Sequence, residues 1–424
     1  MTGATRLPSD LEGWLEHIGA LHPAVMELGL SRVQAVLAAM HMPARCPVIV
    51  VGGTNGKGST CAMLEAILLA AGYRVGTCMS PHLVRYNERV RINGREAGDE
   101  ALCAGFAAVE HVRGDVPLTY FEFATLATWA TFQAEPLDAI VLEIGLGGRL
   151  DAVNAFEPDV SIVTSVALDH VDVLGDTREK IGWEKAHVYR AGRPALCGDP
   201  EPPASLVEHA RSIGADLWLA GRDFGHDGDA QQWRYRGRRT VRGGLAYPAL
   251  RGTNQLLNAS VVLAAFEALG DRLPVTAAAV REGFAAVTLP GRFQVLPGRP
   301  VVILDVAHNP HAAAVLAANL ASMERSGRTI AVFGMLRDKD MAGVIQHLHP
   351  AIDIWHVASL PGPRGAEAAS LERLLVERGA EVHVHATVEA AWAAARESAN
   401  EADRIVATGS FLTVGAVLQS QRAA

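Results

Sequence analysis

Lysine is nearly missing from this chain. Among 424 residues there are four, Lys57, Lys180, Lys185 and Lys339, against 34 arginines. Arginine therefore serves wherever a plain positive charge suffices, and a retained lysine draws attention as a compact ammonium or an amine able to deprotonate and react. Nothing further distinguishes Lys180 and Lys339 in the sequence; Lys57 and Lys185 lie in informative surroundings. Cysteine is also sparse: Cys46, Cys61, Cys78, Cys103 and Cys197 form no C-x-x-C pair. Their wide spacing excludes a zinc site of usual ligand pattern and a disulfide framework, and fits a reducing compartment. No apolar run approaches the roughly 20 residues of a membrane span, and residues 1–17 carry acidic groups without a signal-length apolar core. A cytoplasmic protein with no membrane partner is expected. A formal net charge of -8 supplies no basic face for nucleic acid. The local exception, Arg234-Tyr235-Arg236-Gly237-Arg238-Arg239, reads as a solvated hairpin.

Apolar residues make up 49% and charged residues 20% of the chain, enough for substantial cores, and the length exceeds what one core usually serves. The most informative segment is Val48-Ile49-Val50-Val51-Gly52-Gly53-Thr54-Asn55-Gly56-Lys57-Gly58-Ser59-Thr60. It reads as a buried strand entering a glycine-rich turn and then a helix. Backbone N–H groups of such a turn converge on an anion, and Lys57 adds the point charge that reaches the outer phosphates of a nucleotide. Gly58 separates the lysine from Ser59 and Thr60, a departure from G-x-x-x-x-G-K-[ST].

After a helical stretch at 11–39, strands at 48–52, 74–78, 138–144 and 159–165 alternate with helical periods, including 59–71. This pattern predicts an α/β protein whose N-terminal domain, residues 1–293, is a P-loop ATPase-type parallel sheet. Residues 80–98, polar and arginine-rich, suit a functional loop at the carboxyl edge of that sheet. Residues 215–250 read as a small antiparallel excursion, followed by a helix at 255–270. Pro297-Gly298-Arg299-Pro300 marks a boundary. Beyond it a Rossmann-like α/β domain, residues 299–424, alternates strands at 301–306, 328–334, 352–358, 381–385 and 403–408 with helices, and contains no second phosphate turn. The active site is expected in the cleft between the domains.

Glu143 closes an apolar strand beside the phosphate turn and is placed to hold Mg²⁺ on a nucleotide. His170, at the neighbouring strand tip, is either a further metal ligand or a hydrogen-bonding core histidine. Asp305 and His308 end the first strand of the second domain; Asp305 is also readable as a helix N-cap.

Taken together, these stretches resemble the folylpolyglutamate synthase family, in its bacterial bifunctional form with dihydrofolate synthase activity. The matching runs include Gly53 through Thr60, Ser80-Pro81-His82-Leu83, Tyr120-Phe121-Glu122-Phe123, Glu143-Ile144-Gly145-Leu146-Gly147-Gly148-Arg149-Leu150-Asp151, Leu168-Asp169-His170, Glu184-Lys185-Ala186, Pro290-Gly291-Arg292-Phe293-Gln294 and Asp305-Val306-Ala307-His308-Asn309-Pro310-His311. The resemblance implies an ATP-dependent ligase that joins L-glutamate to dihydropteroate and to reduced folates through an acyl phosphate. It further implies Mg²⁺, two ions, with Ser80, Glu143 and His170 as metal ligands, and a carbamylated Lys185 supporting the second ion. ATP would be held by Thr54, Asn55, Gly56, Lys57, Gly58, Ser59 and Thr60, and across the cleft by Asn258, Arg292, Asp305 and His308. Pteroate would lie near Leu30, Thr119, Phe121, Arg149 and Asp151, and glutamate would meet the second domain. Lys57, Lys185 and His170 are the catalytic candidates, and a monomer is expected.

Three residues depart from the family pattern: His187, Trp183 and Asn254. The first two flank Lys185 and bear on access to it. Against the carbamate stands a simpler reading of Lys185, a surface ion pair with Glu184 or Glu179. Asp172-Val173-Leu174-Gly175 is formally the D-x-x-G of a GTPase, but no [NT]-K-x-D guanine motif accompanies it. A muramyl peptide ligase would share the chemistry but usually carries a further N-terminal domain, and here the phosphate turn begins near residue 52.

Overall fold

The computed structural model describes residues 7–22, 27–229, 231–324 and 327–423. Its first sheet is built from β1 (Val48–Gly52), β2 (Val75–Cys78), β3 (Val90–Ile92), β4 (Arg95–Glu96), β5 (Ala139–Glu143), β6 (Val160–Val163), β7 (Pro194–Cys197) and β8 (Asp216–Leu219). The spatial order is β4-β3-β2-β5-β1-β6-β7-β8. Strands β2, β5, β1, β6, β7 and β8 run parallel, while β3 and β4 add an antiparallel hairpin at one edge.

β1 is apolar at every position because both of its faces are covered. Val48 and Val50 pack into one core with the helices Leu11–Ala20, Ser31–Met40, Asp99–Arg113 and Tyr120–Gln133. Ile49 and Val51 point the other way, toward the helices Lys57–Ala70, Gln255–Leu269 and Ala277–Ala286. The alternation follows from the two-residue period of a strand.

The helical stretch expected at 11–39 comprises two helices, Leu11–Ala20 and Ser31–Met40, with residues 23–26 lying outside the described residues. The segment expected to be a loop at 80–98 contains the hairpin β3–β4 as well as a single 3-10 turn, Tyr86–Arg89. The 215–250 region divides: β8 extends the parallel sheet, and β9 (Gly225–Gly228), β10 (Trp233–Arg236) and β11 (Val241–Leu245) form a separate antiparallel sheet. The arginine-rich run is a hairpin, but its Tyr235 is buried on Glu267 while Arg234 and Arg236 pair with Asp227.

A second sheet has the order β12-β13-β17-β14-β15-β16, from β12 (Gln294–Leu296), β13 (Val301–Leu304), β14 (Thr329–Phe333), β15 (Ile354–Ala358), β16 (Glu381–His385) and β17 (Arg404–Thr408). β12 is antiparallel to β13, so this sheet takes in residues ahead of position 299. Ile303, Ala331, Phe333 and Trp355 face one core, and Val302, Leu304, Ile330 and Val332 face the other. No helix among the described residues is long and apolar enough to cross a membrane.

Candidate active site

The carboxyl ends of both sheets border one cleft of about 1190 Å³. Its floor is the turn after β1. Gly53 (φ +136°) and Gly56 (φ +88°) adopt backbone conformations that side-chain-bearing residues rarely hold, and a Cβ would lie 1.9 Å from Thr164 Oγ1 at the first and 2.6 Å from Asn258 Oδ1 at the second. The turn is fastened to the end of β6, where Thr164 Oγ1 and Ser165 Oγ donate to the Asn55 carbonyl at 2.7 and 3.0 Å. Helix Lys57–Ala70 begins at Gly56 with no side-chain cap. Its first N–H groups therefore lack the usual side-chain acceptor, the arrangement that receives an anion. Thr54, Asn55, Gly56, Lys57, Gly58 and Ser59 all line the cleft; Thr60 is fully buried beneath it. Lys57 Nζ donates to the carbonyls of Gly53 and Thr54, at 3.1 Å each.

Glu143 ends β5 in register with Val51 of β1, so it stands beside this turn. Its Oε2 accepts from the Ser80 N–H at 3.0 Å. Burial raises the Glu143 pKa, and the charge of Lys57 opposes the rise. His170 follows β6 in the left-handed region, φ +50°. Burial, then the neighbouring Lys339 charge, lowers the imidazole to about 4, leaving it neutral at pH 7 with a lone pair to give.

No three His, Cys, Asp or Glu side chains among the described residues form a metal-holding group by themselves. One carboxylate, one neutral imidazole and the Ser80 hydroxyl nevertheless fit a hard divalent cation that completes its shell with water and phosphate oxygens, as magnesium does beside a nucleotide.

Lys185 is 3% exposed, and its Nζ donates to the Gly53 carbonyl at 3.1 Å. Burial, and next the charge of Lys57, lowers its pKa to about 7. The surface ion pair is not formed: Glu184 is held by Arg149 at 3.0 Å, and Glu179 accepts from the Ala204 and Ser205 N–H groups. Trp183 and His187 do not line the cleft, although Lys185 does. They pack edge to face at 4.4 Å, with Arg149 over Trp183 and His209 stacked on His187.

Thr119, Phe121 and Asp151 line the cleft. Thr119 caps helix Tyr120–Gln133 in a reciprocal box with Glu122, which is in turn held by Arg32. Asp151 accepts from the Leu146 and Val153 N–H groups, and burial raises its pKa to about 6. Two expected substrate residues are not at the wall. Leu30 occupies the N-cap position of helix Ser31–Met40, where Leu28 and Gly29 face the cleft instead. Arg149 turns its guanidinium to Glu184 and Trp183.

Asn258 is not across the cleft: it lies on helix Gln255–Leu269 of the first domain, packs on the phosphate turn and donates to Gln255 Oε1 at 3.0 Å. Arg292 lies over the Phe411 ring at 4.9 Å. Asp305 accepts from the Phe293 and Ala307 N–H groups, at 2.8 Å each, and is not the helix N-cap; Asn309 caps helix Pro310–Ser322. The two domains meet directly. Asn55 and Asn309 exchange amide hydrogen bonds at 3.2 and 3.0 Å, and Asp169 receives Lys339 at 2.6 Å, Asn309 at 3.1 Å and His308 at 3.5 Å. Nothing in the local sequence pattern assigns a role to Lys339, Asp169 or Asn309, although signals were present: a lysine surviving in an arginine-rich chain, and polar residues inside strand-tip motifs.

A phosphate turn, a strand-tip carboxylate and a second α/β domain closing over them define an ATP-dependent ligase of the Mur type. In agreement, residues 51–194 match the Mur ligase middle domain and residues 291–411 the Mur ligase glutamate ligase domain. The chain is 44% identical to the dihydrofolate synthase/folylpolyglutamate synthase of Escherichia coli K12 over 97% of its length and 95% of that protein's. It is 33% identical to that of Mycobacterium tuberculosis H37Rv, covering 82% and 78% of the two chains. Its fold superposes on E. coli FolC in complex with DHPP and ADP with a TM-score of 0.94, at 44% identity and 99% coverage of each chain. A bifunctional enzyme of the same name, solved with Mn, AMPPNP and L-glutamate, superposes with a TM-score of 0.92 at 43% identity, again covering 99% of each chain. The chain belongs to the dihydrofolate synthase/folylpolyglutamate synthase family and is an ATP-dependent ligase.

Proposed function

We propose that this chain joins L-glutamate to dihydropteroate, forming dihydrofolate, and extends reduced folates by further glutamates, through an acyl phosphate. The observation that carries this reading is the convergence, in one cleft, of an uncapped phosphate turn with Lys57, Glu143 at the end of β5, His170 in the segment beyond β6, and Asp305 and His308 of the second domain.

The turn N–H groups and Lys57 bind the phosphates of ATP, Arg292 and Asn258 flank them, and Asp305 orients the nucleotide from the second domain. Thr119, Phe121 and Asp151 hold the pteroate so that its carboxylate points at the γ-phosphorus. A carboxylate oxygen then forms the new O–P bond as ADP departs. Nitrogen of glutamate, held against the second domain, attacks the acyl carbon; the C–O bond breaks, phosphate leaves and the amine loses one proton. Positioning and charge neutralisation supply most of the catalysis in such transfers. Ser80, Glu143 and His170 would hold Mg²⁺, which when bound neutralises phosphate charge. A second ion would rest on a Lys185 carbamate, whose formation requires the neutral amine that a pKa of about 7 provides. A cytoplasmic monomer is the working form.

Labelled glutamate supplied with ATP, and with dihydropteroate or tetrahydrofolate as alternative acceptors, tests the reading. Amide product with stoichiometric ADP and phosphate is expected from both acceptors. Activity on one acceptor alone would remove the other from the assignment, and ATP turnover without amide formation would overturn it.

A further inference from the structure

Lys339 sits in the turn between β14 and helix Met341–Leu348 of the second domain, yet its side chain crosses the cleft to the first domain and is only 5% exposed. The ammonium lies 2.6 Å from Asp169 Oδ1 and 3.0 Å from His170 Nε2. An ammonium can only donate, so the imidazole nitrogen accepts with its single in-plane lone pair. A metal ion held through His170 Nε2 would need that same lone pair. One lone pair cannot serve both partners.

We propose that Lys339 competes with the divalent cation for His170 Nε2, so that this interdomain lysine sets metal affinity. The inference rests on the reading of His170 as a metal ligand. Metal binding draws the imidazole off the ammonium and leaves Lys339 on Asp169, which remains braced from the second domain by Asn309 and His308. A lysine suits this exchange because one compact ammonium reaches carboxylate and imidazole together and can release one while keeping the other; a planar guanidinium in so enclosed a place cannot.

Mn²⁺ binding to the intact nucleotide-free protein, counted by electron paramagnetic resonance of the free ion, tests the proposal without an activity assay. Lys339→Met should tighten Mn²⁺ binding about tenfold, the scale of one charge-assisted hydrogen bond. Removing the lysine also removes its charge from the site, so Lys339→Met is compared with Lys339→Gln, which loses the charge but keeps an N–H donor for His170 Nε2. Competition predicts less tightening in Lys339→Gln than in Lys339→Met; a pure field effect predicts equal tightening in both, which would overturn the proposal. Unchanged or weaker binding by Lys339→Met would also overturn it, provided that His170→Ala weakens binding. If His170→Ala leaves Mn²⁺ affinity unchanged, the assignment of His170 as a ligand fails first and the proposal falls with it. Circular dichroism of each variant confirms that the binding compared is that of folded protein.

Discussion

The ammonium groups of Lys57 and Lys185 both lie 3.1 Å from one acceptor, the Gly53 carbonyl oxygen. Two cations meeting on one peptide oxygen repel each other in a place that already excludes water. Lys185, fully enclosed, is pushed down to about 7, by burial first and by Lys57 second.

That relationship makes Lys185 a reactive amine. Carbon dioxide adds to the neutral form, so carbamate formation should rise with pH through about 7. Lys185→Glu should retain more activity than Lys185→Arg, because the sign of the charge decides whether a cation can be held. Intact-mass analysis under carbon dioxide looks for the adduct directly, and a fully active arginine variant would eliminate it.

Lys185 also makes stability depend on pH. Its folded pKa of about 7 lies below the ordinary 10.5, so between these values the unfolded chain binds more protons than the folded one. The penalty is fully present below about 7 and is relieved as pH rises toward 10.5. In carbon-dioxide-free buffer the melting temperature of Lys185→Met, relative to wild type, should therefore be higher at pH 7 than at pH 10. A constant difference across that range would place the amine in a more solvated setting.

If the lysine serves bound phosphate, Lys57→Ala should cut turnover by ~10²–10³ with little change in melting temperature, because its side chain packs into no core. Lys57→Arg should fail similarly, because a planar fork replaces a compact ammonium inside a turn closed by glycine. Gly53→Ala is the contrasting case: its Cβ would sit 1.9 Å from Thr164 Oγ1 at φ +136°, so melting temperature and turnover should fall together. Thermal denaturation beside steady-state rates separates the two behaviours.

Glu143→Gln keeps an oxygen beside the Ser80 N–H but removes the charge. The Mg²⁺ concentration for half-maximal rate should rise at least about tenfold. An unchanged requirement in a magnesium titration would take Glu143 out of the metal's shell.

Gly145→Ala addresses the pteroate side. The added Cβ would meet Phe121 Cζ at 2.4 Å, and the ring, half-buried at the cleft, yields more readily than backbone. The KM for dihydropteroate should rise about tenfold while that for glutamate stays within a factor of about two, since a displaced contact misplaces one substrate only. Equal increases in both would indicate a general distortion of the cleft.

Much of this molecule was legible along the chain. An apolar strand closed by Gly53, Gly56 and Lys57 announces a phosphate turn because strand burial and left-handed glycines are local requirements. The strand-end positions of Glu143 and Asp305 follow from alternating periods in the same way, whereas His170, expected at a strand tip, lies beyond the end of β6 at Val163 and takes the N-cap position of the short helix Val171–Leu174. Strands toward the sheet margins were less visible: β3, β4 and β12 carry two or three residues, too few for a period to show, and the four-residue β7 and β8 lie at the far side of the first sheet. Side-chain direction was not legible. Arg149 belongs to a motif that reads as substrate-binding, yet it turns to Glu184 and Trp183, because the partner residues lie 35 and 34 positions away. Lys339 and Asp169 are 170 residues apart, and nothing local to either encodes their contact.

The two α/β halves, the glycine-rich turn and the residue types offered to phosphate and metal could be read locally, since each rests on neighbours along the chain. Which of them share a cleft, which lysine has its pKa pushed down, and that Lys339 reaches across the domains to the imidazole of His170 came only with folding. Those properties come from burial and from charges brought together by folding, and electrostatic energy depends on distance in space rather than on separation in sequence.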